Sequence, residues 1–180
     1  GMPPFVSKDS KVFFVDPVYG LEGNPGTVKR PLLSLYKAHE LCTAGNNDVV
    51  FLVSDGTTAS TARLSAANAA AAVSTLTVGT LVWSKNATHL IGLCAPGQSP
   101  RARIATPTGT YASGTFGSGN MVTVTGSGCY FQNIQAVHAF TTGSTTDICW
   151  TDSGGRNTYV GCAFFGGQST AAAAASGSAS

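Results

Sequence analysis

Three stretches of this chain repeat one layout: a short apolar strand, a turn and a second strand. That repetition constrains the fold more than any other feature. The first stretch holds Leu81-Val82-Trp83 and then His89-Leu90-Ile91-Gly92-Leu93. The second holds Met121-Val122-Thr123-Val124 and then Tyr130-Phe131-Gln132-Asn133-Ile134, and the third Ile148-Cys149-Trp150 and then Tyr159-Val160-Gly161-Cys162-Ala163-Phe164. Laying Leu93, Ile134 and Cys162 over one another gives separations of 41 and 28 residues. Within the blocks, Val82 to Leu93 spans 11, Val122 to Ile134 spans 12 and Ile148 to Cys162 spans 14. Spacing is steadier inside a block than between blocks, as in a solenoid whose coils keep their strands and vary one loop. Such coils stack about 4.8 Å apart, with inward side chains piling on their counterparts. Gly92, Asn133 and Gly161 align beside the inward apolar position, where a corner asks for a residue that tolerates left-handed backbone. A β-sandwich of irregular strands is the competing arrangement. Asn-Gly hairpin signals do not occur, which favours the solenoid.

Composition agrees with an all-β chain. Ala, Gly, Thr and Ser fill 86 of 180 positions and charged residues only 10%, which argues against a helical bundle or coiled coil. Hydrophobic residues at 43% argue against wholesale disorder. A net charge of +2, scattered along the chain, offers no basic stripe for nucleic acid. No run of 18 apolar residues is long enough for a membrane helix, and the first residues lack the pattern of a secretory signal.

Upstream of the repeats, Lys11 to Pro17 reads as a short strand stopped by a turn, and 20–30 as a loop. A helix follows, with Pro31 in its first turn, Leu32, Leu35, Ala38, His39 and Cys42 at helical spacing, and Gly45 as its left-handed stop. Asp48-Val49-Val50-Phe51-Leu52-Val53 is a continuous apolar run, expected to be a strand covered on both faces. Low-complexity stretches of small residues occupy 57–79 and the tail. The expected organisation is therefore an N-terminal strand and loop over 1–30, a helix and coils over 31–167, and a tail or linker over 168–180.

The segments Gly26-Thr27, Pro31-Leu32-Leu33-Ser34-Leu35-Tyr36-Lys37-Ala38 and Asn47-Asp48-Val49-Val50-Phe51-Leu52-Val53-Ser54-Asp55-Gly56 resemble the start of right-handed parallel β-helix proteins of the pectate-lyase-like class. That class includes polysaccharide lyases, polygalacturonase-like hydrolases, tailspikes and other structural proteins of bacteriophages. Asn157-Thr158-Tyr159-Val160-Gly161-Cys162-Ala163-Phe164 resembles its usual rung. Two departures stand out: Asn47 where the class commonly has Gly, and Thr57-Thr58 where an aromatic residue often follows. The resemblance implies a right-handed parallel β-helix with a short N-terminal capping helix. It carries no catalytic residue.

Chemistry-bearing residues are sparse. Asp147 and Asp152 bracket one strand, and at five residues apart they would sit roughly 16 Å from each other in extended chain, too far for a glycosidase pair. Clustered oxygen ligands for calcium are missing too. Cysteines at 42, 94, 129, 149 and 162 form no Cys-x-x-Cys and stand apart from His39, His89 and His138, so no zinc spacing arises. Their odd count and apolar neighbours point to free, buried thiols and a reducing compartment. His89 and His138 flank rung strands without an evident Ser, Cys or Asp partner, and Arg101 and Arg103 read as a solvated face. No catalytic, cofactor or metal residue is expected. Trp83, Trp150, Tyr130 and Tyr159 would make a sugar-stacking ridge if they point outward; as interior rings they would only pack.

With the resemblance, these readings imply a non-enzymatic structural protein of a bacteriophage virion, made in the host cytoplasm. It would be a capsid decoration or tail-associated protein. Its implied partners are other virion proteins or copies of itself, with a homotrimer as one form, and neither nucleic acid nor membrane. The alternative is a tailspike-type polysaccharide depolymerase or glycan-binding module acting on a bacterial surface glycan.

Overall fold

Apolar, β-branched runs bounded by small and turn-forming residues become strands along most of this chain. The computed structural model describes residues 7–55, 57, 59–64, 79–94, 102–105, 120–140 and 148–168. The low-complexity stretch over 65–78, the tail after Gln168, and Arg101 and Asp147 lie outside the described residues. In chain order the elements are β1 (Val12–Val15), α1 (Leu35–Leu41), β2 (Asp48–Val53), β3 (Ala62–Arg63), β4 (Leu81–Trp83), β5 (Thr88–Leu93), β6 (Ala102–Ala105), β7 (Asn120–Val124), β8 (Tyr130–Gln132), β9 (Ile134–Phe140), β10 (Ile148–Asp152), β11 (Thr158–Val160) and β12 (Ala163–Gln168). No helix among them is long and apolar enough to cross a membrane.

The strands make three parallel sheets, ordered β10-β7-β4, β1-β2-β5-β8-β11 and β12-β9-β6-β3. Consecutive strands never pair within a triplet: β4, β5 and β6 enter three different sheets, and β7 to β9 and then β10 to β12 add one strand to each in the same order. Register is constant across sheets. Leu90 faces Phe131 and Leu81 faces Val122, both 41 residues on. Phe131 then faces Tyr159, Val122 faces Trp150 and Gln135 faces Ala163, all 28 residues on. The alignment of Leu93, Ile134 and Cys162 therefore matches the register. That of the first strands shifts slightly, because Val82 lies opposite Thr123 and Val122 opposite Trp150 rather than Ile148. With that correction the spacing inside each triplet is invariant, at nine residues from Leu81 to Leu90, Val122 to Phe131 and Trp150 to Tyr159.

The turns repeat as faithfully as the strands. Asn47, Ala87, Gly128 and Arg156 share one corner and all have left-handed backbone, with φ of 58°, 49°, 69° and 60°. Asn133 and Gly161 are left-handed at a second corner, as expected, with φ of 54° and 59°. Gly92 is not. It serves close approach instead, since a Cβ there would lie 2.2 Å from the Asn133 carbonyl oxygen and 2.5 Å from Ala102 Cβ. Ala87 and Arg156 bear the left-handed strain without glycine's freedom, so Ala87→Gly is expected to raise stability by about 0.5–1 kcal/mol in urea unfolding.

All three sheets contribute to one hydrophobic cluster containing Val50, Leu81, Trp83, Leu90, Ile104, Val122, Phe131, Ile134 and Ala136. One interior column runs Phe13, Val50, Leu90, Phe131, Tyr159. The Asp48–Val53 run is β2, with Val49, Val50 and Leu52 all at 0% exposure, so side chains of both parities are buried as the sequence indicated. The five cysteines are free, with Cys42 and Cys129 buried and the other three half-buried.

The helix begins later than its sequence indicates. Pro31 and Leu32 are not helical, because Leu32 N–H donates to the Phe14 carbonyl (2.8 Å) and Asp16 N–H to the Leu32 carbonyl (2.9 Å), laying this segment along β1. Ser34 caps the helix, its Oγ accepting from Lys37 N–H at 3.2 Å. At the other end, the Lys85 ammonium donates to the Glu40 and Cys42 carbonyls, 2.6 Å each, putting a cation where the helix needs one. Gly45 is left-handed but belongs to the following turn, donating to the Asn86 carbonyl at 2.8 Å.

Asp48 fastens the first layers together. Its carboxylate is wholly buried and accepts from Lys11 N–H (2.7 Å) and Thr43 N–H (2.6 Å). One layer column further on, Asn157 Oδ1 accepts likewise from Cys129 N–H at 2.8 Å. Asp48→Ala strands two buried donors, so chemical denaturation is expected to show a loss of about 2–3 kcal/mol.

Candidate functional site

The four aromatic positions singled out by sequence divide by which way their strand presents them. Trp83 is excluded from any ligand-binding role. In β4 the alternation turns Leu81 and Trp83 inward and leaves Val82 half-buried, and Trp83 is fully buried. Its ring lies 4.5 Å from that of His39 and meets Phe131 edge-on at 6.0 Å. Tyr130 is half-buried on the outer side of β8, in register with His89 and Thr158, and stands apart from the others.

Trp150 and Tyr159 are brought together. They occupy inner columns, above Val122 and Phe131, yet remain half-buried because β10 and β11 are the outermost strands of their sheets among the described residues. Tyr159 stacks on Phe131 with centroids 5.0 Å apart and planes 9° off parallel. Trp150 and Phe164 meet Tyr159 edge-on at 6.0 and 5.8 Å. Phe164 completes this aromatic end without having been marked by sequence; its register with Ala136 in the inner column of β9 is what identifies it.

A polar network braces the rings. Trp150 Nε1–H donates to the Tyr159 hydroxyl at 3.2 Å, and that hydroxyl donates to Asp152 Oδ2 at 2.6 Å. Asn157 Nδ2 lies 2.9 and 3.1 Å from the two Asp152 oxygens, and Gly154 N–H donates to Oδ1 at 2.9 Å. Burial and the donation to Asp152 both push the Tyr159 phenol above its usual range. Asp152 thus accepts from three residues and acts as a buttress, while the flat faces of the rings are what the end presents to a partner. No group of three or more His, Cys, Asp or Glu that could hold a metal occurs among the described residues.

The histidines resolve into packing roles. His89 is buried in β5; its Nδ1 accepts from Tyr130 N–H (3.1 Å), which leaves Nε2–H to donate to Asn47 Oδ1 (3.3 Å). Burial lowers its pKa to about 4, against the pull of Asp48. His39 Nε2 accepts from Ser84 N–H at 3.0 Å, joining α1 to the end of β4; burial and, secondarily, Lys85 lower its pKa to about 3. His138 falls in β9, and its side chain lies outside the described residues. Both described histidines are neutral when folded and take up protons on unfolding once the pH drops below about 6.5. Their stabilising contribution is complete above that pH and is lost as pH falls toward 4 and 3. Stability measured between pH 7 and 5 is expected to fall with pH, and His39→Gln to flatten that slope by about one proton.

No protein-family model matches the chain, and no curated protein or solved structure matches it.

Proposed function

We propose that the chain is a right-handed parallel β-helix and serves as a non-enzymatic structural element of a bacteriophage particle, as a capsid decoration or a tail-associated protein. The observation that carries this reading is the register: each triplet adds one strand to each of three parallel sheets at a fixed spacing of nine residues between inner columns. Parallel strands joined through a crossover follow a right-handed path in nearly all folds, which supports the hand. Small residues at the corners and low charge suit a stacked body whose edges meet neighbours. The carboxylates support a scaffold role. Asp16 holds the Val18 and Tyr19 amides, Asp48 those of Lys11 and Thr43, and Asp55 that of Thr57. Asp152 braces Tyr159, and Glu40 pairs with Lys37 at 3.0 Å. The virion location and the partners, other virion proteins or copies of this chain, rest on the resemblance of the 26–56 segment described above.

A second reading, a module that binds or cleaves a bacterial surface glycan, draws on the half-exposed Trp150 and Tyr159. One experiment separates the two. Particles of the phage whose genome encodes the chain are banded by density and probed with antibody to the chain, and the purified chain is incubated with host capsule and lipopolysaccharide. Stoichiometric presence in the band without glycan turnover supports the structural role. Turnover, or absence from the particle, overturns it.

A further inference from the structure

We infer that the outer edge of β10, β11 and β12 docks a second copy of this chain, edge to edge, closing a two-fold dimer. The inference rests on the reading of the three sheets as coils of one helix, and it assigns the partner that such a body meets first.

The two ends of the stack are built differently. At the β1 end the edges are occupied. The segment from Gly26 to Leu32 runs along β1, with Phe14 N–H donating to the Gly26 carbonyl (2.7 Å) and Leu32 N–H to that of Phe14 (2.8 Å). Helix α1 packs against β4, and His39 takes the Ser84 amide. At the other end, among the described residues, the three outermost strands carry nothing beyond them. The contrast along the columns shows what a further layer does. Val122, Phe131 and Ala136 are 1%, 0% and 0% exposed, whereas Trp150, Tyr159 and Phe164 directly above them are half-exposed. Beside these rings Ile148, Val160 and Phe165 are 48%, 41% and 46% exposed.

An occupant has to offer free strand edges and a flat apolar centre on the same outline. The β1 end of a second copy does not, because α1 and the 26–32 segment block strand pairing there. Its β11 end does. A two-fold axis perpendicular to the stack sets β11 antiparallel to its symmetry mate and Tyr159 over the Tyr159 of the second copy. Antiparallel pairing is available to the free edge of a parallel sheet. Such a contact is self-complementary and stops at two copies. It also removes the exposed edges that would otherwise recruit strands without limit.

The full chain is measured by sedimentation and light scattering from low to high micromolar concentration. The result expected is a mass of twice 18.2 kDa at the upper end, with no larger species. Val160→Asp and Phe165→Asp are each expected to weaken the dimer by about tenfold or more, since each sets a charge in an apolar contact. Leu21→Asp and Val28→Asp, at positions 64% and 70% exposed near the β1 end, are expected to leave it intact. All four sites are exposed, so the fold persists, checked by an unchanged unfolding midpoint of the dissociated chain. A monomer at every concentration overturns the inference, as does open-ended growth or a dimer lost through Leu21→Asp but not Val160→Asp. A monomer that still unfolds cooperatively and is still destabilised by Gly92→Ala overturns the dimer while leaving the coil reading in place.

Discussion

Replacing Gly92 with alanine is expected to cost about 3 kcal/mol or more, placing it among the most damaging single-methyl additions available in this fold. The added carbon would sit 2.2 Å from the Asn133 carbonyl oxygen and 2.5 Å from Ala102 Cβ. Both neighbours are held in place: Asn133 is a left-handed corner whose N–H donates to the Val160 carbonyl at 3.0 Å, and Ala102 is buried in β6 opposite Ile134. Relief therefore needs two layers to move apart. Gly23→Ala is the control, because a Cβ there meets nothing within 4 Å and its backbone is not left-handed. Urea midpoints for the two variants, at unchanged slope, measure the difference. Equal midpoints would mean that β5 and the Asn133 corner are not in contact.

The second large effect is expected at Trp83. Trp83→Ala removes a fully buried ring that touches His39 and Phe131 and whose Nε1–H donates to the Thr88 carbonyl at 3.3 Å. The cavity left among fixed backbone should cost about 3–5 kcal/mol in equilibrium unfolding. Trp150→Ala, in the outermost layer, should cost well under half as much, because its ring is only half-buried and water enters where it leaves. Comparable losses at both positions would place Trp150 in an enclosed core and contradict an open end.

These two tryptophans also mark how far the sequence can be read. Strands β1 and β2 follow from their apolar runs, and the matched positions of Leu93, Ile134 and Cys162 carry the register, because stacked layers repeat side-chain size and corner chemistry at fixed offsets. The helix start was misread because Pro31 and Leu32 satisfy a local helical pattern while the free edge of β1 claims the Leu32 amide and carbonyl. Tertiary hydrogen bonding outweighs a weak local preference there. Gly92 was misread for a similar reason: glycine answers both to positive φ and to close approach, and composition does not distinguish the two.

The candidate site was half legible. Trp150 and Tyr159 were marked as aromatic, but their inner-column positions are equivalent to those of Val122 and Phe131. Only their place in the outermost layer leaves them half-exposed, and a linear pattern does not encode which layer is last. Trp83 carried the same signal and is buried. The brace formed by Asp152 and Asn157 joins residues five apart through a turn, a geometry that depends on the left-handed Arg156 between them.

The stacking of layers is tested most directly by through-space proton contacts in isotope-labelled protein. The register requires contacts between Leu90 and Phe131 and between Phe131 and Tyr159, together with Leu81 to Val122 and Val122 to Trp150. Those contacts, at offsets of 41 and then 28 in two separate sheets, are the result expected. Antiparallel contacts joining β4 to β5, or β7 to β8, across their short turns would instead establish hairpins and a sandwich. They would contradict the parallel three-sheet stack on which the proposed function stands.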